Sequence, residues 1–231
     1  MRLDVAVQQG QRQTGVLALT NESAIPVRIR ADLLDFRIDE SASPLFAPSL
    51  AGESAYSCRS WLAINPMEFE MSANERRLIR YSLRVPNETG QGSFHCAVGF
   101  TAAPPADGSS SIGMRTNVRV IAALYPMVGD VPPEGTIDAL AARSNEEAIV
   151  TVVNTGQRVF RAAGTIDVLD EAGRVIDSQP LPGVPILPAR KQPLPVRFGE
   201  GLLARGRRLR VRMDIGGSDI QEASIDLHAR P

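Results

Sequence analysis

Lysine is almost missing from this chain of 231 residues: Lys191 is the only one, and arginine supplies the other basic side chains. Histidine is limited to His95 and His228, tryptophan to Trp61 and cysteine to Cys58 and Cys96. Each shortage excludes something. The few histidines and cysteines do not have the spacing of a zinc cluster, so no metal is expected. A net charge of −1 withholds the basic surplus that nucleic acid or an anionic lipid surface requires. No apolar run approaches the roughly 20 residues of a membrane-spanning helix. Neither a phosphate-binding glycine loop nor a Gly-x-Ser-x-Gly elbow occurs, and no cofactor is expected. The chain therefore reads as a soluble, non-enzymatic globular protein. Residues 1–15 lack the apolar segment of an export signal. Either the protein is cytoplasmic or the sequence starts at a mature or trimmed end.

Helical periodicity is scarce too. The best helical candidate, Ile137 to Ala142, is too short for a long amphipathic helix. What is abundant is β pattern, cut by seventeen prolines and nineteen glycines into short segments. Val16 to Thr20 ends at the turn Asn21-Glu22-Ser23, and Val27 to Ile38 follows Pro26. Leu78 to Val85 alternates before Pro86, Phe94 to Phe100 follows two glycines, and Val118 to Tyr125 stops at Pro126. Strands separated this regularly by turn residues predict an antiparallel sandwich rather than a βαβ sheet.

Prolines and glycines interrupt the pattern between Pro126 and Gly135, after which it restarts. Ala148 to Val153 ends at Asn154, as Val16 to Thr20 ends at Asn21, and each half carries a strand ending near an aspartate, Asp35 or Asp170. The fold class is all-β: two tandem Ig-like sandwiches, residues 1–126 and 127–231, related by a weak repeat of about 130 residues. The first core is expected to draw on Trp61, Leu62, Phe69, Leu78, Ile79 and Phe94, and the second on Ile149, Val152, Ile166, Leu209, Val211 and Ile215.

The candidates for chemistry are poor. His95 and Cys96 are adjacent on an alternating strand and should face opposite ways, leaving His95 toward solvent. Carboxylate pairs at Glu134 and Asp138, Glu146 and Glu147, and Asp167 and Asp170 read as surface residues in turns. Asn21-Glu22-Ser23 and Asn87-Glu88-Thr89 match a glycosylation pattern that arises often by chance. Arg208, Arg210 and Arg212 would share one strand face, as a solvated surface or as an anion-binding stripe. Cys58 and Cys96 enclose a loop of about 38 residues and could form a disulfide worth roughly 4 kcal/mol by chain entropy. Two buried free thiols remain the alternative.

One segment stands apart. From Ile112, alternate positions read Met114, Thr116, Val118, Val120 and Ala122, after the stretch Pro104 to Ser111. The ordinary reading is that this row faces its own core, with the Val118 to Ala122 end closing the sandwich. The functional reading is an edge strand that completes a partner's sheet, with Ile112 and Met114 the residues most exposed to that partner.

This order of features resembles the periplasmic pilus-assembly chaperones of the PapD-like type. The resemblance rests on Thr14 to Asn21, Trp61 to Pro66, Phe69 to Tyr81, the Phe94 strand, the alternating Ile112 to Ala122 strand and Tyr125-Pro126. It covers mainly residues 1–130, and the second domain is similar to bacterial surface Ig-like domains as well. The resemblance implies two Ig-like domains that bind pilin-like protein subunits by β-strand addition, in the periplasm or outside the cell. It also implies a basic pair gripping the subunit carboxylate. The matching positions are Val5 and Ile121, neither basic, so Arg2 and Arg119 are the nearest substitutes. The alternative function is a structural or adhesive cell-surface module that handles no subunits.

Overall fold

The computed structural model describes residues 1–48, 50, 55–103 and 118–228. Its first strands are β1 (Arg2–Val7), β2 (Arg12–Thr20), β3 (Val27–Ile38), β4 (Pro44–Ala47) and β5 (Leu62–Asn65). They continue with β6 (Glu68–Met71), β7 (Arg76–Arg84), β8 (Gly92–Ser93), β9 (Cys96–Ala103) and β10 (Val118–Val128). Then come β11 (Gly135–Ala142), β12 (Glu147–Asn154), β13 (Ala163–Leu169) and β14 (Val175–Pro180). After β15 (Lys191–Arg197) and the one-turn helix α1 (Leu202–Arg205), β16 (Arg208–Asp214) and β17 (Gln221–Asp226) close the fold. The chain divides into two compact units, Met1–Phe36 with Phe46–Gly129, and Arg37–Leu45 with Asp130–Pro231.

Each unit is a sandwich. In the first, a sheet ordered β1-β10-β9-β3, with β6 added to β3 and β8 to β10, faces the sheet β2-β7-β5. β1 runs parallel to β10, whereas β9 and β10 are antiparallel. Leu17, Ile79 and Leu83 of the smaller sheet pack with Val98, Phe100 and Leu124 of the larger. In the second, β11-β12-β15 faces β14-β13-β16-β17 over Val150, Val152, Leu194, Ile166, Val168 and Leu209. Alternate residues of β12 and β16 are buried, as a sheet with one covered face demands.

Both β2 and β12 lead into a buried asparagine that closes a loop. Asn21 Nδ2 donates to the carbonyls of Ile25 at 2.9 Å and Ser72 at 2.8 Å, while its Oδ1 accepts from the Ser23 amide at 3.1 Å. Asn154 repeats the arrangement with the carbonyls of Arg158 at 2.8 Å and Ile186 at 2.9 Å, and with the Gly156 amide at 3.0 Å. The glycosylation pattern at Asn21 is thus occupied by a structural amide.

Several expectations are corrected. Leu78 is 61% exposed and Ile79 fully buried, because consecutive strand residues point to opposite faces. The same parity leaves Ile149 half-exposed between buried Ala148 and Val150. Ile137 to Ala142 is strand, paired along β12 with an irregularity between Ile137 and Ala139. Pro126 does not end its strand: it lies beside Val5 in the parallel ladder, and its carbonyl accepts from the Phe94 amide at 2.7 Å. Proline forfeits only a donor there. His95 is buried rather than solvent-facing, edge-on to Phe36 with ring centroids 5.1 Å apart. The segment Tyr56–Cys58 covers it through backbone bonds to both sides of His95.

Candidate partner-binding edge

Strand β10 carries one row of side chains that changes character along its length. Leu124 and Ala122 are buried in the first sandwich, yet Val120 and Val118 on the same face are 51% and 57% exposed. Their neighbours across the ladder are Phe100 and Ala102, and Ala102 is itself half-exposed. The core therefore ends near Ala122 while the strand continues.

The backbone edge opens at the same place. β1 covers the far side of β10 only from Ala123 onward, where Arg2 is its partner. The amino group of Met1 reaches the Ile121 carbonyl at 2.8 Å. Among the described residues, Val118 to Val120 have β9 on one side and no strand on the other. Ile112, Met114 and Thr116 lie outside the described residues.

The opposite face of this sheet carries the candidate cations. Arg119 lies across Gly99, where an added Cβ would come within 2.6 Å of its Nε, and it reaches Asp32 at 3.4 Å. Arg2 pairs with Asp4 at 2.8 Å and lies 5.6 Å from the centroid of the Tyr125 ring. Each arginine thus has its own carboxylate, and the two are not brought into one grip. Val5 packs against the first core, and Ile121 is half-buried.

Cys58 and Cys96 are joined in a disulfide with Cα atoms 5.2 Å apart. Next to Cys58, Ser57 Oγ donates to Asp35 Oδ1 and Arg59 Nε donates to Asp35 Oδ2 at 2.9 Å. This ties the covering segment to β3.

The other candidates do not converge into a chemical site. Asp138 pairs with Lys191 at 3.0 Å and Asp170 with Arg174 at 2.9 Å. Asp167 lies in β13 rather than in a surface turn, buried under Ser178 Oγ at 2.7 Å and Arg210 at 2.9 Å, with Arg212 at 3.4 Å. Burial pushes its carboxyl up, but the Ser178 hydroxyl and the two guanidiniums outweigh that and hold it below the ordinary aspartate value. Asp167 thereby neutralises the middle of the Arg208–Arg212 stripe, whose end, Arg208, meets Asp226 at 3.1 Å. Among the described residues no three His, Cys, Asp or Glu side chains gather as metal ligands. No described helix is long and apolar enough to cross a membrane.

No family model matches the sequence, and no curated protein matches it. Solved structures do. The YadV chaperone aligns over 96% of this chain and 96% of its own, at 13% identity and a TM-score of 0.53. The chain has the two-sandwich fold of the chaperones. The SafB chaperone of Salmonella enterica, solved with the SafA pilin, aligns over 96% and 92% at 16% identity and a TM-score of 0.52. The CupB2 chaperone of Pseudomonas aeruginosa aligns over 94% and 95% at 12% identity and a TM-score of 0.50. The parity of Val118, Val120 and Leu124 is the sequence signal for the exposed edge. What parity alone left open is where along the row the home core stops.

Proposed function

We propose that this protein is a non-enzymatic, chaperone-like binder that lends the open end of β10 to an incomplete sheet in a pilin-like subunit. The exposure of Val118 and Val120, on a row that continues inward to Ala122 and Leu124, carries the proposal. Unpaired backbone groups would supply affinity, and alternate side chains would set the register. In the sequence the same alternation runs back through Thr116, Met114 and Ile112, which would be further contacts for the partner. The fold it has in common with the SafB chaperone, whose structure includes a pilin, supports this class of partner. The Cys58–Cys96 disulfide supports an oxidising compartment, the periplasm or the cell exterior. Arg2 and Arg119 would contact a subunit carboxylate only by exchanging their present partners, Asp4 and Asp32.

The test is co-expression with a pilin-like subunit from the same source, followed by size-exclusion chromatography. The unaltered chain should co-elute with the subunit, and the double variant Val118→Asp, Val120→Asp should not. Co-elution with the double variant would overturn the proposal.

A further inference from the structure

The sheet on the other side of the first sandwich has an unusual outward face. In the β2–β7 ladder Arg12 stands opposite Arg84, Val16 opposite Arg80, Ala18 opposite Leu78 and Thr20 opposite Arg76. These residues share one parity and point away from the core, while Leu17, Ile79 and Leu83 point into it. The outward positions of β2, β7 and β5 include four arginines and, among the described residues, no carboxylate. Arg12 donates to Ser82 Oγ at 3.2 Å. On the companion sheet, by contrast, Arg28, Arg30 and Arg119 each meet a carboxylate, at 2.9, 3.1 and 3.4 Å.

Like charges placed directly across a ladder weaken it, so the Arg12–Arg84 pair runs against the stability of its own sheet. Between the arginines lie Val16 and Leu78, 56% and 61% exposed. Beside Arg12 and Arg84 a shallow groove is bordered by Trp61 and Ser82. An apolar centre rimmed by arginine is the anatomy of a protein interface, and guanidinium forks match carboxylates in pairs.

We propose that this face docks a second protein through a carboxylate-bearing surface, independently of the subunit at β10. The two sites lie on different sheets of one sandwich, so both can be occupied together. A protein partner is favoured over a bilayer because the whole chain carries a net charge of −1 and gains little from a broad anionic plane.

The experiment titrates the ¹⁵N-labelled full chain with a synthetic repeat peptide of Glu, Leu and Ser, and with the same peptide carrying Lys for Glu. Amide shifts should cluster on β2, β7 and Trp61 with the acidic peptide alone. The variant Arg80→Glu, Arg84→Glu should weaken that binding at least about tenfold, as expected for lost charge-assisted contacts. Arg80→Gln with Arg84→Gln, which removes charge without reversing it, should give a smaller loss. Shifts centred elsewhere, unchanged affinity in both variants, or binding to phosphatidylglycerol vesicles without binding to the peptide would overturn the proposal.

Discussion

Asn154 makes in the second sandwich the same hydrogen bonds that Asn21 makes in the first: one amide group holds a carbonyl four residues on and another from a distant loop. Alanine at either position removes a donor from at least two carbonyls and the acceptor of one amide, and at Asn21 also the acceptor of the Ser23 hydroxyl. Each substitution should destabilise its own unit by about 1–3 kcal/mol. Urea unfolding followed separately for the two units, with Trp61 fluorescence reporting the first, checks the size and the location of the effect.

Cys58 and Cys96 close a loop of 38 residues. Replacing both with serine should cost the first unit roughly 4 kcal/mol or somewhat less by the chain-entropy relation. The second unit should unfold as before. Equal loss in both units on reduction would contradict this.

Asp167 gives the second unit an acid-sensitive element. Its carboxyl titrates below the usual aspartate value because Ser178 and the guanidiniums of Arg210 and Arg212 favour the ionised form. A lowered folded pKa contributes stability above the unfolded pKa, and that contribution is lost as pH falls through the folded one. Stability of the second unit should therefore fall as pH drops into and below the ordinary aspartate range, and Asp167→Asn should flatten that slope. At neutral pH the same change should cost about 1.5–3 kcal/mol through weakened charge-assisted bonds.

The two ends of β10 should respond in opposite ways. Val118→Asp and Val120→Asp alter exposed side chains and should change unfolding free energy by no more than about 0.5 kcal/mol. Leu124→Ala, on the same face but fully buried, should cost about 2–5 kcal/mol. Thermal and urea denaturation of the three variants separates the protruding end from the core end.

Much of this architecture is legible in the amino acids. Alternation over Leu78 to Val85 and Ala148 to Val153 marks strands because burying one face of a sheet imposes a period of two. The paired asparagine turns mark the repeat. The errors at Leu78 and Ile149 are errors of strand parity, whereas those at His95 and Asp167 depend on what covers a residue, which sequence pattern does not contain. His95 is buried because a segment stapled by Cys58 folds over it, and Asp167 is buried because two arginines from β16 lie across it. Pro126 reads as a stop, but its ring sits where only its carbonyl is needed. In the candidate site the row itself was readable, whereas its passage from core to solvent between Ala122 and Val120 was not. Strand β1, distant in sequence, decides where the backbone edge opens.

The uninterrupted run of β10 through Pro126 also has a mechanical meaning. β1 and β9 flank its inner half, with hydrogen bonds lying across the strand axis. A load pulling lengthwise on the exposed end would strain those bonds together, in shear, instead of peeling them apart one by one. The open end of the strand is thus held lengthwise by the sheet behind it rather than by its own backbone alone.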